Sequence, residues 1–450
     1  MNNREVRLER SLTLPHLVLF GLAYLAPMIV FGIYGTISTE THATEASAYL
    51  VALVAMFFTA LSYTQMVKAY PVAGSAYTYT RKSLNPHLGF MVGWATLLDY
   101  VFIPMAIWLI GAAYFNAAFP QVPQWLWVLL FIVITTGINI LGIKLGTKVN
   151  FLMMVFQFLV IALFIILDIK TVLTGHGSGN LLSVNPFVHS GTSFSFVLAG
   201  ASIACYSFLG FDAITTFTEE ALKPEKNIPR AIILTTVIGG VIFIASSYFT
   251  HLVHPGFQYK SVDSAGFEIA KQIGGNLFSA IFLAGIIIAQ FASGISAQAS
   301  ASRLLYAMGR DSVLPKKFFG YLSPKFKTPV LNILLVAVIG LLALRLSVST
   351  STSFINFGAF VAFTLVNVSV ISHFYVKGKH RGSKANIFYL VFPLLGTLFD
   401  LWLLVNLDRN ALILGGSWAV AGFVYLLVLT GMFKRQPPEM KFDGLEEESA

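Results

Sequence analysis

Residues 14–39 read LPHLVLFGLAYLAPMIVFGIYGTIST, an apolar run with no Asp, Glu, Lys or Arg and with Pro27 near its centre. As a helix rising 1.5 Å per residue, such a run crosses the ~30 Å hydrocarbon core of a bilayer. It is too long for the apolar region of a signal peptide and lacks a small-residue cleavage site, so it reads as a true span. Proline has no N–H and its ring clashes with the preceding turn, which opens the helix around Ala23–Pro27. Two readings follow. One is a kinked membrane helix, since Pro and Gly are common in such helices. The other is an interruption whose freed backbone groups line a cavity, the one place where lipid-depth protein tolerates them.

Eleven further runs of this kind follow, at approximately 46–69, 88–118, 124–142, 149–173, 195–219, 228–253, 276–306, 329–347, 352–376, 386–405 and 410–433. The composition agrees: 56% of the 450 residues are hydrophobic, 11% are charged and the mean hydropathy is +0.76. A soluble domain carries about 25% charged residues. Runs this long exclude a β-barrel, whose strands give short alternating segments. The single cysteine, Cys205, excludes an intrachain disulfide. The class is an all-α integral membrane protein of about twelve transmembrane helices.

The net charge of +9 is a matter of topology here and implies no nucleic-acid partner. Twelve spans place twenty-four of the 29 Lys and Arg on the side of the chain's ends, leaving Lys170, Lys260, Lys271, Arg345 and Arg409 on the other. The positive-inside rule makes both termini cytoplasmic, in a multi-pass protein of the cell membrane. Residues 1–13 form a charged head, and 434–450 a polar tail ending in Glu446, Glu447 and Glu448.

The sixth run carries Tyr206-Ser207-Phe208-Leu209-Gly210-Phe211-Asp212, a glycine beside a mid-helix carboxylate. An Asp at membrane depth costs roughly 2.5–3.5 kcal/mol to insert and is a functional hypothesis by default. The alternative is a carboxylate satisfied by nearby helix N-termini or hydroxyls. Pro27 and this stretch lie about 181 residues apart, and the same offset carries the second run onto the seventh. Five spans is an odd number, so a second copy enters from the opposite side, as in the inverted repeats of secondary transporters. The offset drifts for later spans.

Asp99 lies 11 residues past Leu88, roughly 16 Å into the third span and near the midplane. No Lys or Arg lies near the middle of any span, so Asp99 and Asp212 lack a protein cation. That points to a cationic ligand, a bound cation or protonation. Asp400 reads as structural and Asp168 as a solvated residue near a span end. Gln290, Ser293, Ser296 and Ser300 share one helical face, as do Asn356, Phe360, Phe363 and Asn367. Each stripe is either helix–helix packing or an ion- or substrate-lined face. There is no phosphate-binding loop, no His-Glu-x-x-His and no Gly-x-Ser-x-Gly, and the nine histidines show no ligand spacing. No metal, no cofactor and no enzymatic activity are expected.

At these segments the chain resembles the amino acid–polyamine–organocation superfamily, and within it the putrescine importers. The Gly21–Phe31 run resembles that family's first-helix break, with Pro27 where many members have Gly. Ala69-Tyr-Pro-Val-Ala-Gly-Ser-Ala-Tyr-Thr-Tyr79 resembles its Pro-x-Ala-Gly-x-x-Tyr-x-Tyr loop, continuing into Asn85–Trp94. Tyr206–Asp212 with Thr218-Glu-Glu-Ala and Asn227-Ile-Pro-Arg230, and Ser302–Asp311 with Lys327-Thr-Pro329, are the more specific signatures. The resemblance implies a LeuT-like 5+5 inverted-repeat core over 14–376, two additional helices over 377–433, and alternating access around a midway site. It places Tyr206 as an aromatic gate and Asp212 where polyamine carriers hold an acid. In proton-coupled relatives a fifth-span Lys replaces a sodium ion, and Gln157 stands at that place here.

Two substrates fit. A diamine wants two separated acids and aromatic walls, which Asp99 and Asp212 with Tyr24, Tyr100, Tyr206 and Phe208 supply. An α-amino acid wants free N–H groups and carbonyls, which breaks at Ala26, Pro27 and Met28 and at Ser207 and Gly210 supply. The expected function is import of a putrescine-like amine. Coupling is expected to be to protons, with Asp99, Asp212, Ser293 and Ser296 as the coupling candidates. The alternatives are an amino acid permease and a transporter-like sensor. The expected partners are the small-molecule substrate and the lipid bilayer, with the protein a monomer or weak homodimer.

Overall fold

The computed structural model describes residues 11–71, 75–142, 147–218 and 220–439, without the side chains of 147–150. Most of the charged head, Ala73 and Gly74 of the loop motif, Lys144, Glu219 and the Glu446–Glu448 tail lie outside the described residues. Among the described residues the protein is helical, with one isolated bridge between Leu12 and Ala221.

Among the described residues ten helices are long and apolar enough to cross a membrane: Leu14–Gly32, Glu45–Ala69, Pro86–Ala118, Phe151–Leu173, Phe194–Phe217, Pro224–Val253, Val262–Arg310, Val348–Lys377, Ser383–Val405 and Arg409–Thr430. The expected fourth and ninth spans are shorter apolar helices, Gln124–Ile140 and Val330–Leu344. The eighth begins after Gly275, where its expected 276–306 starts, and runs on to Arg310. A helix from Ala265 precedes it, and Gly275 (φ 65°, ψ −159°) turns the chain between the two. Glycine carries that left-handed φ without a Cβ clash, and the hydropathy of the run gave no sign of the turn. A short helix, Ser75–Ser83, also forms in the loop after the second span, with Tyr77 and Tyr79 buried.

Two spans are broken, and they lie five apart. The first runs Leu14–Leu25, ends at Ala26 in the left-handed region (φ 47°), and resumes as Ile29–Gly32 and Tyr34–Thr41. Pro27 cannot donate to the ladder, which explains a break at this point. The sixth runs Phe194–Ala204, tightens into a turn at Cys205–Phe208, extends at Leu209, and restarts as Asp212–Phe217 after Gly210 at φ +118°. The breaks meet: a Cβ on Gly210 would sit 2.1 Å from Tyr24 Cδ1. Only glycine fits both the φ and the space.

The half of the molecule away from the chain's ends is packed shut. Phe31 packs at a tilt against Phe164 and edge-on to Phe282, with centroids 4.3 and 5.3 Å apart, and the Tyr114 hydroxyl donates to the Phe31 carbonyl. Three readings of single residues resolve as packing. Asp400 is buried and accepts from Thr59 (3.0 Å) and Asn367 (2.9 Å). Asn356 donates to the Ser202 carbonyl at 2.6 Å. Phe363 packs edge-on to Tyr63. Asp168 is the exception to its expected solvation. It is fully buried beside Thr250, because the seventh span covers that face of the fifth.

Candidate substrate site

The broken spans border a cavity of about 270 Å³. Tyr24 and Ala26 of the first break and Tyr206 of the sixth reach it, and Ser293, Ser296 and Ser300 of the eighth span form its far wall. The serine face thus lies opposite the first span. Gln157 lines the same cavity with its Oε1 unpartnered. No Lys or Arg is among the lining residues.

Neither Asp99 nor Asp212 lines this cavity, but both lie within electrostatic reach of Tyr24, which does. Both are half-buried. They lie within electrostatic reach of one another, and the Tyr24 ring lies within reach of both and of Tyr100 and Tyr206. Their surroundings differ. Asp212 opens the second half of the sixth span, where the backbone N–H groups of Gly210 and Ala213 face its carboxylate. A carboxylate there satisfies donors that a helix start leaves free. Asp99 is held in the unbroken third span and has no such neighbours; its Oδ1 has no hydrogen-bond partner. A buried acceptor left unmatched is costly and calls for an occupant.

Tyrosines surround the two acids. Besides Tyr24 and Tyr100, Tyr63 of the second span and Tyr79 of the Ser75–Ser83 helix come within electrostatic reach of Asp212. Tyr63 and Tyr79 escaped the sequence reading as site residues. Tyr79 ends the Pro-x-Ala-Gly-x-x-Tyr-x-Tyr loop, which was the available signal; Tyr63 had none.

The remaining expected residues sit behind the wall. Pro27 and Met28 are buried, and Met28 packs toward Gly285 of the eighth span. Ser207 pairs with the Tyr49 hydroxyl at 3.3 Å. Phe208 packs edge-on to Phe243 with centroids 5.3 Å apart. Gly210 shapes the backbone. These five position the breaks and do not border the cavity.

Two interrupted helices meeting at a membrane-depth cavity, with unpaired acids within electrostatic reach of its lining, define a secondary transporter of the broken-helix kind. The chain belongs to the amino acid permease family, which it matches over residues 16–430. It is 42% identical over 97% of both chains to the low-affinity putrescine importer PlaP of Escherichia coli K12. It is 28% identical to the methylthioribose transporter of Bacillus subtilis and 26% identical to that organism's branched-chain amino acid permease BcaP, over 93% of each chain in both cases. The protein is therefore a multi-pass membrane transporter of a small molecule.

Proposed function

We propose that this protein imports a putrescine-like diamine across the cell membrane by alternating access. One observation carries the proposal: Asp99, half-buried at membrane depth, has an Oδ1 with no hydrogen-bond partner and lies within electrostatic reach of Tyr24, Tyr100 and Tyr206. An ammonium group placed there gains a charge-assisted hydrogen bond and the faces of aromatic rings. Asp212, already held by backbone N–H groups, supplies the second negative charge for the far end of the molecule. The relative named as a putrescine importer supports the same substrate class.

The site residues take distinct roles in this reading. Asp99, Tyr24, Tyr100 and Tyr206 contact the amine. Ala26, Pro27, Met28, Ser207, Phe208 and Gly210 form the two backbone breaks around it. Ser293 and Ser296 face the first break across the cavity. The basic residues place both termini in the cytoplasm. Segments beside the ends pack on one side, Leu12 against Ala221 and Pro437 against Arg81, which follow the sixth and second spans. Import is coupled to protons, and the protein works as a monomer or weak homodimer.

The test is uptake of radiolabelled putrescine by proteoliposomes at two external pH values, with diamines and amino acids as competitors. Competition by diamines alone, with uptake rising on an imposed proton gradient, is the expected result. Transport of an amino acid with no putrescine uptake would overturn the proposal and favour an amino acid permease.

A further inference from the structure

A second group of buried ionisable residues lies on the side away from the chain's ends, apart from the cavity. Glu45 begins the second span and is fully buried. Its Oε2 lies 3.0 Å from Nδ1 of His251, near the end of the seventh span, whose side chain is 4% exposed. The Thr250 hydroxyl, beside His251, reaches Asp168 Oδ2 of the fifth span at 3.5 Å. Glu45 Oε1 and Asp168 Oδ1 have no hydrogen-bond partner. Tyr34, from the second half of the broken first span, is fully buried within electrostatic reach of both acids. Tyr259, from the loop after the seventh span, faces Glu45 and Glu268 and is hydrogen-bonded to Ser38 at 2.8 Å.

The first, fifth and seventh spans and the loop after the seventh thus contribute titratable or hydroxyl groups to the cluster, and none of the groups named is a Lys or Arg. Two carboxylates and one imidazole in dry protein are electrically neutral only with two protons among them. Loss of either leaves a net buried negative charge, which low-dielectric surroundings oppose. The protons belong to the group as a whole. Its four contributing spans are the first, second, fifth and seventh. The first is broken at Ala26, so the half carrying Tyr34 joins the cluster independently of the half carrying Tyr24.

We propose that Glu45 and His251, with Asp168 and Tyr34, form a proton-binding site on the extracellular side, and that its occupancy holds this half of the transporter closed. The proton driving import then loads at a place separate from the amine. This refinement rests on the importer reading for its transport arm only.

Two measurements separate the outcomes. The first needs no substrate: the melting temperature of the detergent-purified protein from pH 5 to pH 9, for wild type, Glu45→Gln, His251→Gln and the conservative Glu45→Asp. The wild-type midpoint is expected to fall as pH rises, with a slope at least halved in Glu45→Gln and His251→Gln and largely kept in Glu45→Asp. Identical profiles in all four would overturn the proposal. The second is the ratio of gradient-driven to gradient-free putrescine uptake in proteoliposomes. It is expected to drop from severalfold toward one in Glu45→Gln, or in His251→Gln should the first variant fail to fold. A ratio unchanged in a folded variant would also overturn it. Wild-type vesicles that take up no putrescine would refute the importer reading and leave the melting result to decide the proton site.

Discussion

Asp99 and Asp212 are half-buried within electrostatic reach of the cavity-lining Tyr24, whereas Glu45 and Asp168 are fully buried, with His251 against Glu45. The first pair sits where two helices are broken and a cavity of about 270 Å³ opens. The second sits where the helices close against one another and aromatic rings fill the gaps. Open space beside an unpaired acid suits a ligand with bulk and positive charge. Full burial of two acids, with an imidazole against one of them, suits a proton. The same residue types thus serve different ligands according to the space left around them.

The comparison breaks most directly at Asp99. Asp99→Asn removes the unpartnered charge without changing shape, and kcat/KM for putrescine is expected to fall about a hundredfold while the protein still reaches the membrane. Steady-state uptake against a membrane-fraction blot checks this. Gly210→Ala is next. Its Cβ would meet Tyr24 at 2.1 Å in a left-handed backbone, so uptake is expected to be lost with a melting temperature about 3 °C lower or more. Thermal unfolding beside uptake separates it from Asp99→Asn, whose stability is expected to hold.

Smaller effects sharpen the picture. Asp212→Asn keeps a side-chain acceptor for the N–H groups at the helix start and loses the charge. Putrescine affinity is expected to fall about tenfold with little change in melting temperature, as read by competition uptake. Asp400→Asn serves as the control. Its partners Thr59 and Asn367 mark a structural carboxylate, so KM should stay within about twofold while the melting point drops by about 2 °C. A large KM change there would remove the distinction between site and scaffold acids.

Much of this was legible in the sequence because lipid imposes strict terms on a chain. Apolar runs, Pro27, Gly210 and two cation-free acids follow from hydropathy and backbone chemistry alone, and they located the broken spans. What stayed hidden depends on contacts between distant segments. Glu45 and His251 are 206 positions apart in sequence. Each lies at the end of an apolar run, where an ionisable residue ordinarily meets water. Asp168 was misread for the same reason, since its burial comes from the seventh span crossing over the fifth. Met28, Ser207 and Phe208 fell in the right stretches, but a helix break does not reveal which side chains turn toward the space it opens. The helix from Ala265 that precedes the Gly275 turn was not read from the sequence, whose eighth span begins at 276.

The most direct test is putrescine uptake into proteoliposomes carrying wild type or Asp99→Asn, with unlabelled diamines and common amino acids as competitors. The expected result is uptake by wild type that diamines alone suppress, and none above empty vesicles with Asp99→Asn. Wild-type uptake kinetics in Asp99→Asn, or competition by an amino acid in place of diamines, would contradict an amine held by the unpartnered acid beside the two helix breaks.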